Sequence, residues 1–165
     1  FYGSGTPMPL ADLLIAERIV MLAEPGHRDH VLDAAARLLS HASPIMTTII
    51  GDALRDRETL GSTAIGRGVA IPHARSNAFD SAHGAFLWLK HPVDFGASDH
   101  MPVDLVFAMS VPEHSPQQHL EILSELAERF SDAEFRDALR GARDVRALRG
   151  ILLGLPRSTM TMVLQ

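Results

Sequence analysis

His73 stands behind a proline at the end of a short apolar segment, Val69-Ala70-Ile71-Pro72-His73, and a glycine-rich loop, Leu60-Gly61-Ser62-Thr63-Ala64-Ile65-Gly66-Arg67-Gly68, feeds that segment. Each part has a chemical use. Gly61, Gly66 and Gly68 can adopt positive φ and bring backbone N–H groups close to an anion, as in phosphate-cradling nests. Val69-Ala70-Ile71 reads as a brief buried strand. Pro72 fixes its own φ and biases Ile71 toward an extended conformation, so His73 is presented at one place at the strand end. A nucleophilic imidazole beside an anion site points to phosphoryl chemistry on histidine. The plainer alternative is a glycine turn before an edge strand with an incidental histidine, since isolated glycine patterns are weak signals.

The same residues resemble a family signature. Arg57-Glu58-Thr59-Leu60 through His73 is similar to the phosphohistidine motif of the enzyme IIA domains of the phosphoenolpyruvate-dependent phosphotransferase system, fructose/mannitol class (type 2). That pattern runs approximately Arg-Glu-x-Leu-Gly-Ser-Thr-Gly-Ile-Gly-Asn-Gly-Val-Ala-Ile-Pro-His. Two positions depart from it: Ala64 stands where glycine is usual, and Arg67 where asparagine is common. The resemblance continues through Pro92-Val93-Asp94-Phe95, Pro102-Val103-Asp104-Leu105-Val106-Phe107 and His119-Leu120, covering about residues 9 to 150. Phe95 and Asp99 followed by Pro102-Val103-Asp104 resemble the nitrogen-regulatory branch more than the sugar-delivering branch.

The resemblance implies an α/β single domain with a mixed sheet of about five strands and helices on both faces. It implies a phosphocarrier in which His73 accepts a phosphoryl group from the histidine of a small HPr-like donor protein. The phosphorus–nitrogen bond carries the transfer potential itself, so no cofactor, nucleotide or metal is needed at that step. The group then remains as a nitrogen-linked regulatory signal acting through bound protein partners, or passes to a membrane sugar permease. Family members carry a histidine at the position of His119 beside the active one, and an arginine near it at the position of Arg57.

The residues themselves leave these roles open. His119 precedes Ile122, Leu123 and Leu126 by three, four and seven residues, so it shares their inward helical stripe. In a first helical turn the dipole disfavours imidazolium, which would keep the ring neutral as a donor to the transferring group or an orienter of His73; a hydrogen-bonded structural histidine is the alternative. Arg57 offers a planar fork for phosphate oxygens, or a cation complementing a helix C-terminus as Arg55 would. The Ser62 and Thr63 hydroxyls either donate to phosphate or fix the turn, while amides of Gly66 and Gly68 would stabilise the transferring group. Arg67 and Arg75 read as nearby charges, as contacts for an acidic partner, or, for Arg75, as a solvated residue.

The chain as a whole, 165 residues with 46% hydrophobic and 21% charged content, fits one ordinary globular domain. A net charge of −5 argues against sequence-independent nucleic-acid binding. With no cysteine there are neither disulfides nor thiolate metal sites. No secretory signal or long uncharged apolar run is evident; Asp12, Glu17 and Arg18 interrupt the stretch from Met8 to Leu22, so the expectation is a cytoplasmic protein without membrane insertion. Phe1 to Pro7 reads as an expression scar, residues 8–155 as the domain and 156–165 as a peripheral tail.

The positioning elements follow from periodicity and caps. Val31, Leu32, Ala35, Leu38 and Leu39 form a helical stripe ending near Ser40, and Ser43-Pro44 opens a second helix toward Leu54. Ala85 to Leu89 and Val103 to Met109 read as buried strands. Ser115-Pro116-Gln117-Gln118 resembles a capping box, Ser131-Asp132-Ala133-Glu134 starts a further helix that Gly141 ends, and Val145, Leu148, Ile151 and Leu152 mark the last. The arginines 136, 140, 143, 146 and 149 interleave with Asp137 and Asp144 and read as a solvated face. A metal-dependent or histidine-based hydrolase is the remaining class. Against it, neither His27 and His30 nor His91 and His100 gain a third ligand at a convincing spacing, and Ser110, His119 and Asp104 lack a nucleophile elbow.

Overall fold

The computed structural model describes residues 10–154; the expression scar and the C-terminal tail expected from the sequence lie outside them. Two 3-10 turns, Leu10–Leu13 and Ala16–Arg18, lead into β1 (Ile19–Leu22) and then the helices α1 (Arg28–Leu39) and α2 (Pro44–Leu60). Three short strands follow, β2 (Ala64–Gly66), β3 (Val69–Ala70) and β4 (His73–Arg75), and then the two long ones, β5 (His83–Val93) and β6 (Val103–Val111). The chain closes with α3 (Pro116–Phe130), α4 (Ala133–Arg140) and α5 (Val145–Leu153). Among the described residues no helix is long and apolar enough to cross a membrane.

Strand order across the six-stranded sheet is β1-β5-β6-β3-β2, with β4 also pairing β6. β5 and β6 are antiparallel, while β1 runs parallel to β5 and both β3 and β4 run parallel to β6. β6 is central and covered on both faces, which is why its sequence is apolar at nearly every position. On one face Phe86, Leu105, Phe107 and Met109 pack against Ile122, Leu126 and Phe130 of α3, Phe135 of α4 and Leu148 of α5. On the other, Ala85, Leu87, Val106 and Ala108 pack against Val31, Leu32, Ala35 and Leu39 of α1 and Ile50 and Leu54 of α2. The mixed sheet with helices on both faces is therefore as expected, with six strands where about five were anticipated. The extra piece arises at Pro72, which has no N–H for the ladder and divides the segment alongside β6 into β3 and β4.

The arginine stripe is not a uniformly solvated face. Arg136 is buried and donates to the Phe130 carbonyl at 2.9 Å, Arg149 donates to the Ile19 carbonyl at 3.1 Å, and Arg140 clamps the Asp104 carboxylate. Arg143 and Arg146 alone of the five are exposed. Helical spacing showed that these residues share a face, but long arginine stems let the heads reach back to carbonyls at element ends.

Candidate phosphohistidine site

The break at Pro72 positions His73. Although Pro72 donates nothing, its carbonyl still accepts from the Met109 amide at 2.9 Å, and β4 resumes with His73 in register with Met109. His73 is 9% exposed, and its Nδ1 lies 2.9 Å from the Ile71 carbonyl oxygen. A carbonyl only accepts, so that contact assigns the proton to Nδ1 and leaves the lone pair on Nε2. Arg57 Nε donates to that Nε2 at 3.2 Å. The tautomer of His73 and the direction of its lone pair are thus set by the link between β3 and β4 and by α2.

Arg57 lies in the last turn of α2, and its Nη1 also donates to the Gly61 carbonyl at 2.7 Å, which orients the guanidinium. The turn that follows is locked by Glu58, 4% exposed, whose carboxylate accepts from the Thr63 amide at 2.8 Å and from the Thr63 hydroxyl at 2.6 Å. Ser62 Oγ donates to the Phe95 carbonyl at 2.5 Å and accepts from the Ala64 amide at 3.1 Å. In turn the Thr63 carbonyl accepts from the Ile71 amide at 3.0 Å, joining the turn to the segment that carries His73. Of the two roles open to the Ser62 and Thr63 hydroxyls, phosphate donor or turn fixer, both protons here hold the turn.

His119 reaches the site from α3, inward-facing as its spacing requires and 4% exposed. Its ring lies 5.0 Å from that of His73, centroid to centroid, at an interplanar angle of 71°. Arg75 Nε donates to His119 Nδ1 at 3.1 Å, while His119 Nε2 is buried without a hydrogen-bond partner. Burial lowers the His119 pKa to about 4, reinforced by the charges of His73, Arg75 and Arg57. Burial likewise lowers that of His73, with Arg57 and Arg75 adding to the effect and the Ile71 hydrogen bond opposing it. Near neutral pH both rings are uncharged, one offering a lone pair and the other an N–H.

Gly66 and Gly68 are not part of this group. The Gly68 carbonyl accepts from the Asp104 and Leu105 amides at 3.0 and 3.1 Å, whereas His73 aligns with Met109, so about 15 Å of strand separates them at roughly 3.3 Å per residue. Their surroundings are also wrong for an anion. Asp99 Oδ2 accepts from the Arg67 amide at 2.7 Å, and Asp104, bound by Arg140, sits against Gly68. The glycines instead build the β2–β3 hairpin, where φ is +93° at Gly66, +59° at Arg67 and +79° at Gly68. Arg67 occupies a left-handed position that asparagine, usual there in the pattern, tolerates better. The sequence alone offers no role for Glu58 beyond its place in the motif and leaves the role of Arg75 open. The signal for Glu58 was a carboxylate five residues before a threonine at a helix end.

Comparison with known proteins gives the family and the fold. The family described as phosphoenolpyruvate-dependent sugar phosphotransferase system, EIIA 2, matches residues 12–154. The nitrogen regulatory protein of Pseudomonas aeruginosa is 39% identical over 145 residues, 87% of this chain and 94% of that protein. That of Bradyrhizobium diazoefficiens is 34% identical over 152 residues, 92% of this chain and 99% of its relative. The crystal structure of the nitrogen regulatory protein IIA-Ntr from Neisseria meningitidis superposes with a TM-score of 0.79 at 36% identity, covering 87% of this chain and 98% of the other. The chain belongs to the enzyme IIA type 2 family of the phosphoenolpyruvate-dependent sugar phosphotransferase system.

Proposed function

We propose that this protein is a phosphocarrier in which His73 Nε2 accepts a phosphoryl group from the phosphohistidine of an HPr-like donor. The observation that carries the reading is the paired imidazoles: His73 with a lone pair on Nε2, beside Arg57, and His119 with an unpartnered N–H in the same cluster. The His73 lone pair forms the new phosphorus–nitrogen bond as the donor's breaks, and the bonding electrons return to the donor ring, which leaves as neutral imidazole. The His73 ring keeps its Nδ1 proton, and the Ile71 carbonyl stabilises the positive charge that develops on it. Arg57 and the His119 N–H face the charge spread over the phosphoryl oxygens, so catalysis is positioning and electrostatic stabilisation.

The phosphorylation state of His73 serves nitrogen-linked regulation, a reading supported by relatives that carry the name nitrogen regulatory protein. Residues 8–155 form the working domain, and its place is the cytoplasm. A phosphoryl group adds up to about two negative charges to a surface that a partner must cover, so the two forms select different partners.

The direct test is incubation with phosphoenolpyruvate, enzyme I and a histidine phosphocarrier, read by intact mass. Wild type gains one acid-labile phosphoryl group and His73→Ala gains none; full labelling of that variant overturns the assignment. Pull-downs from cells with an active donor system then compare wild type with His73→Ala. Identical partner sets, together with efficient transfer to a fructose or mannitol permease, would replace regulation by sugar delivery.

A further inference from the structure

We infer that Arg75 is a positioning residue for phosphoryl transfer: by donating to His119 Nδ1 it places the His119 proton on Nε2, the nitrogen in the cluster that has no other partner. This rests on the phosphocarrier reading given above. A neutral imidazole carries one proton and can hold it on either nitrogen, so something must choose. A hydroxyl or a water could serve as donor or acceptor and would leave both forms populated. Guanidinium has donors only and does not lose its proton, so its contact with Nδ1 at 3.1 Å is compatible with one tautomer alone.

That tautomer carries a local penalty, because it leaves a buried N–H without an acceptor. Such an unmet donor is what an arriving phosphoryl oxygen requires, and the ring that carries it stands edge-on to that of His73, centroids 5.0 Å apart. The opposite tautomer would present a bare lone pair to an anionic oxygen. Arg75 itself is exposed, in β4 two residues beyond His73, so its removal takes away little packing. Parallel pairing of β4 with β6 carries one residue of the strand to each histidine: His73 is the nucleophile, and Arg75 holds the ring that assists it.

Long-range proton–nitrogen NMR on protein labelled with nitrogen-15 reads the His119 tautomer directly, without any phosphoryl transfer. Wild type shows the Nε2–H form alone, Arg75→Ala shows a mixture, and Arg75→Lys, again donor-only, restores the single form. Quench-flow with saturating phosphorylated carrier shows a maximal transfer rate roughly fivefold lower in Arg75→Ala, the factor one ordinary hydrogen bond is worth, with recovery in Arg75→Lys. A pure Nε2–H form in Arg75→Ala overturns the inference. So does a rate loss confined to the donor KM, which would make Arg75 a docking residue, or an Arg75→Lys variant as impaired as the alanine. Wild type that takes up no phosphoryl group would instead overturn the carrier reading beneath it, while the spectra would still decide whether Arg75 sets the tautomer.

Discussion

Acidification from about pH 7 to about pH 5 should destabilise this protein through His119 by an amount the site itself sets. In the unfolded chain the His119 ring has an ordinary pKa of about 6.5 and takes up a proton as the pH falls through that value. In the folded protein burial, with the charges of His73, Arg75 and Arg57, holds the pKa at about 4, so the native ring stays neutral. The unfolded state therefore binds more protons, and stability falls as the pH drops below about 6.5, levelling off only below about 4. At about 1.4 kcal/mol per pH unit, the 1.5 units between about 6.5 and 5 remove about 2 kcal/mol. Native domains have about 5–15 kcal/mol in all, so the loss is large. His73 is shifted in the same direction, for which burial is the first cause, and adds to the slope. Urea unfolding of wild type and His119→Gln at the two pH values isolates the His119 share, because His73 and the carboxylates act in both proteins. With m near 2 kcal/mol/M, the wild-type midpoint should fall by about 1 M more than that of the variant. Equal shifts in the two proteins, or a His119 ring that titrates near 6.5 by NMR, would refute the reasoning.

Arg57→Ala removes the donor to His73 Nε2 and a fixed cation beside it, and should slow phosphoryl uptake by about 10–100-fold in a stopped-flow assay, with Arg57→Lys recovering only part because it lacks the planar fork. Gly68→Ala forces a Cβ to within 2.5 Å of Arg140 Nη2 at a φ of +79°, so it should cost about 2–3 kcal/mol and lower Tm by about 6–9 °C in a thermal scan. Its phosphoryl uptake should stay at the wild-type rate, and a large loss there would return the glycine hairpin to the site.

What the sequence made legible was whatever is local along the chain. Pro72 directing His73, the inward stripe of His119 and the amphipathic helices all follow from spacings within a few residues, and the structure has each of them. Helix ends were less secure: Ser43 and Ser115 precede their helices without a side-chain cap bond, whereas Asp132 does cap α4 through the Glu134 amide. β1 has no clear signal in the sequence because the charged Glu17 and Arg18 precede it, yet Arg18 is buried and donates to the Gly84 and Leu13 carbonyls. Sheet register was invisible from composition, and register determines which residues share the site. Gly68 lies only five positions before His73 in sequence, but extended backbone carries it to the far end of the segment alongside β6, beside Asp104. His119, forty-six positions beyond His73, returns to it because α3 crosses back over the sheet face that Met109 helps to build. A glycine-rich loop before a histidine thus shapes the hairpin that anchors one end of the strand, and the phosphoryl group would meet arginine and imidazole donors at the other. Anion binding inferred from glycines alone fails wherever the intervening residues are extended, since each adds about 3.3 Å and four or five exceed the reach of any backbone amide.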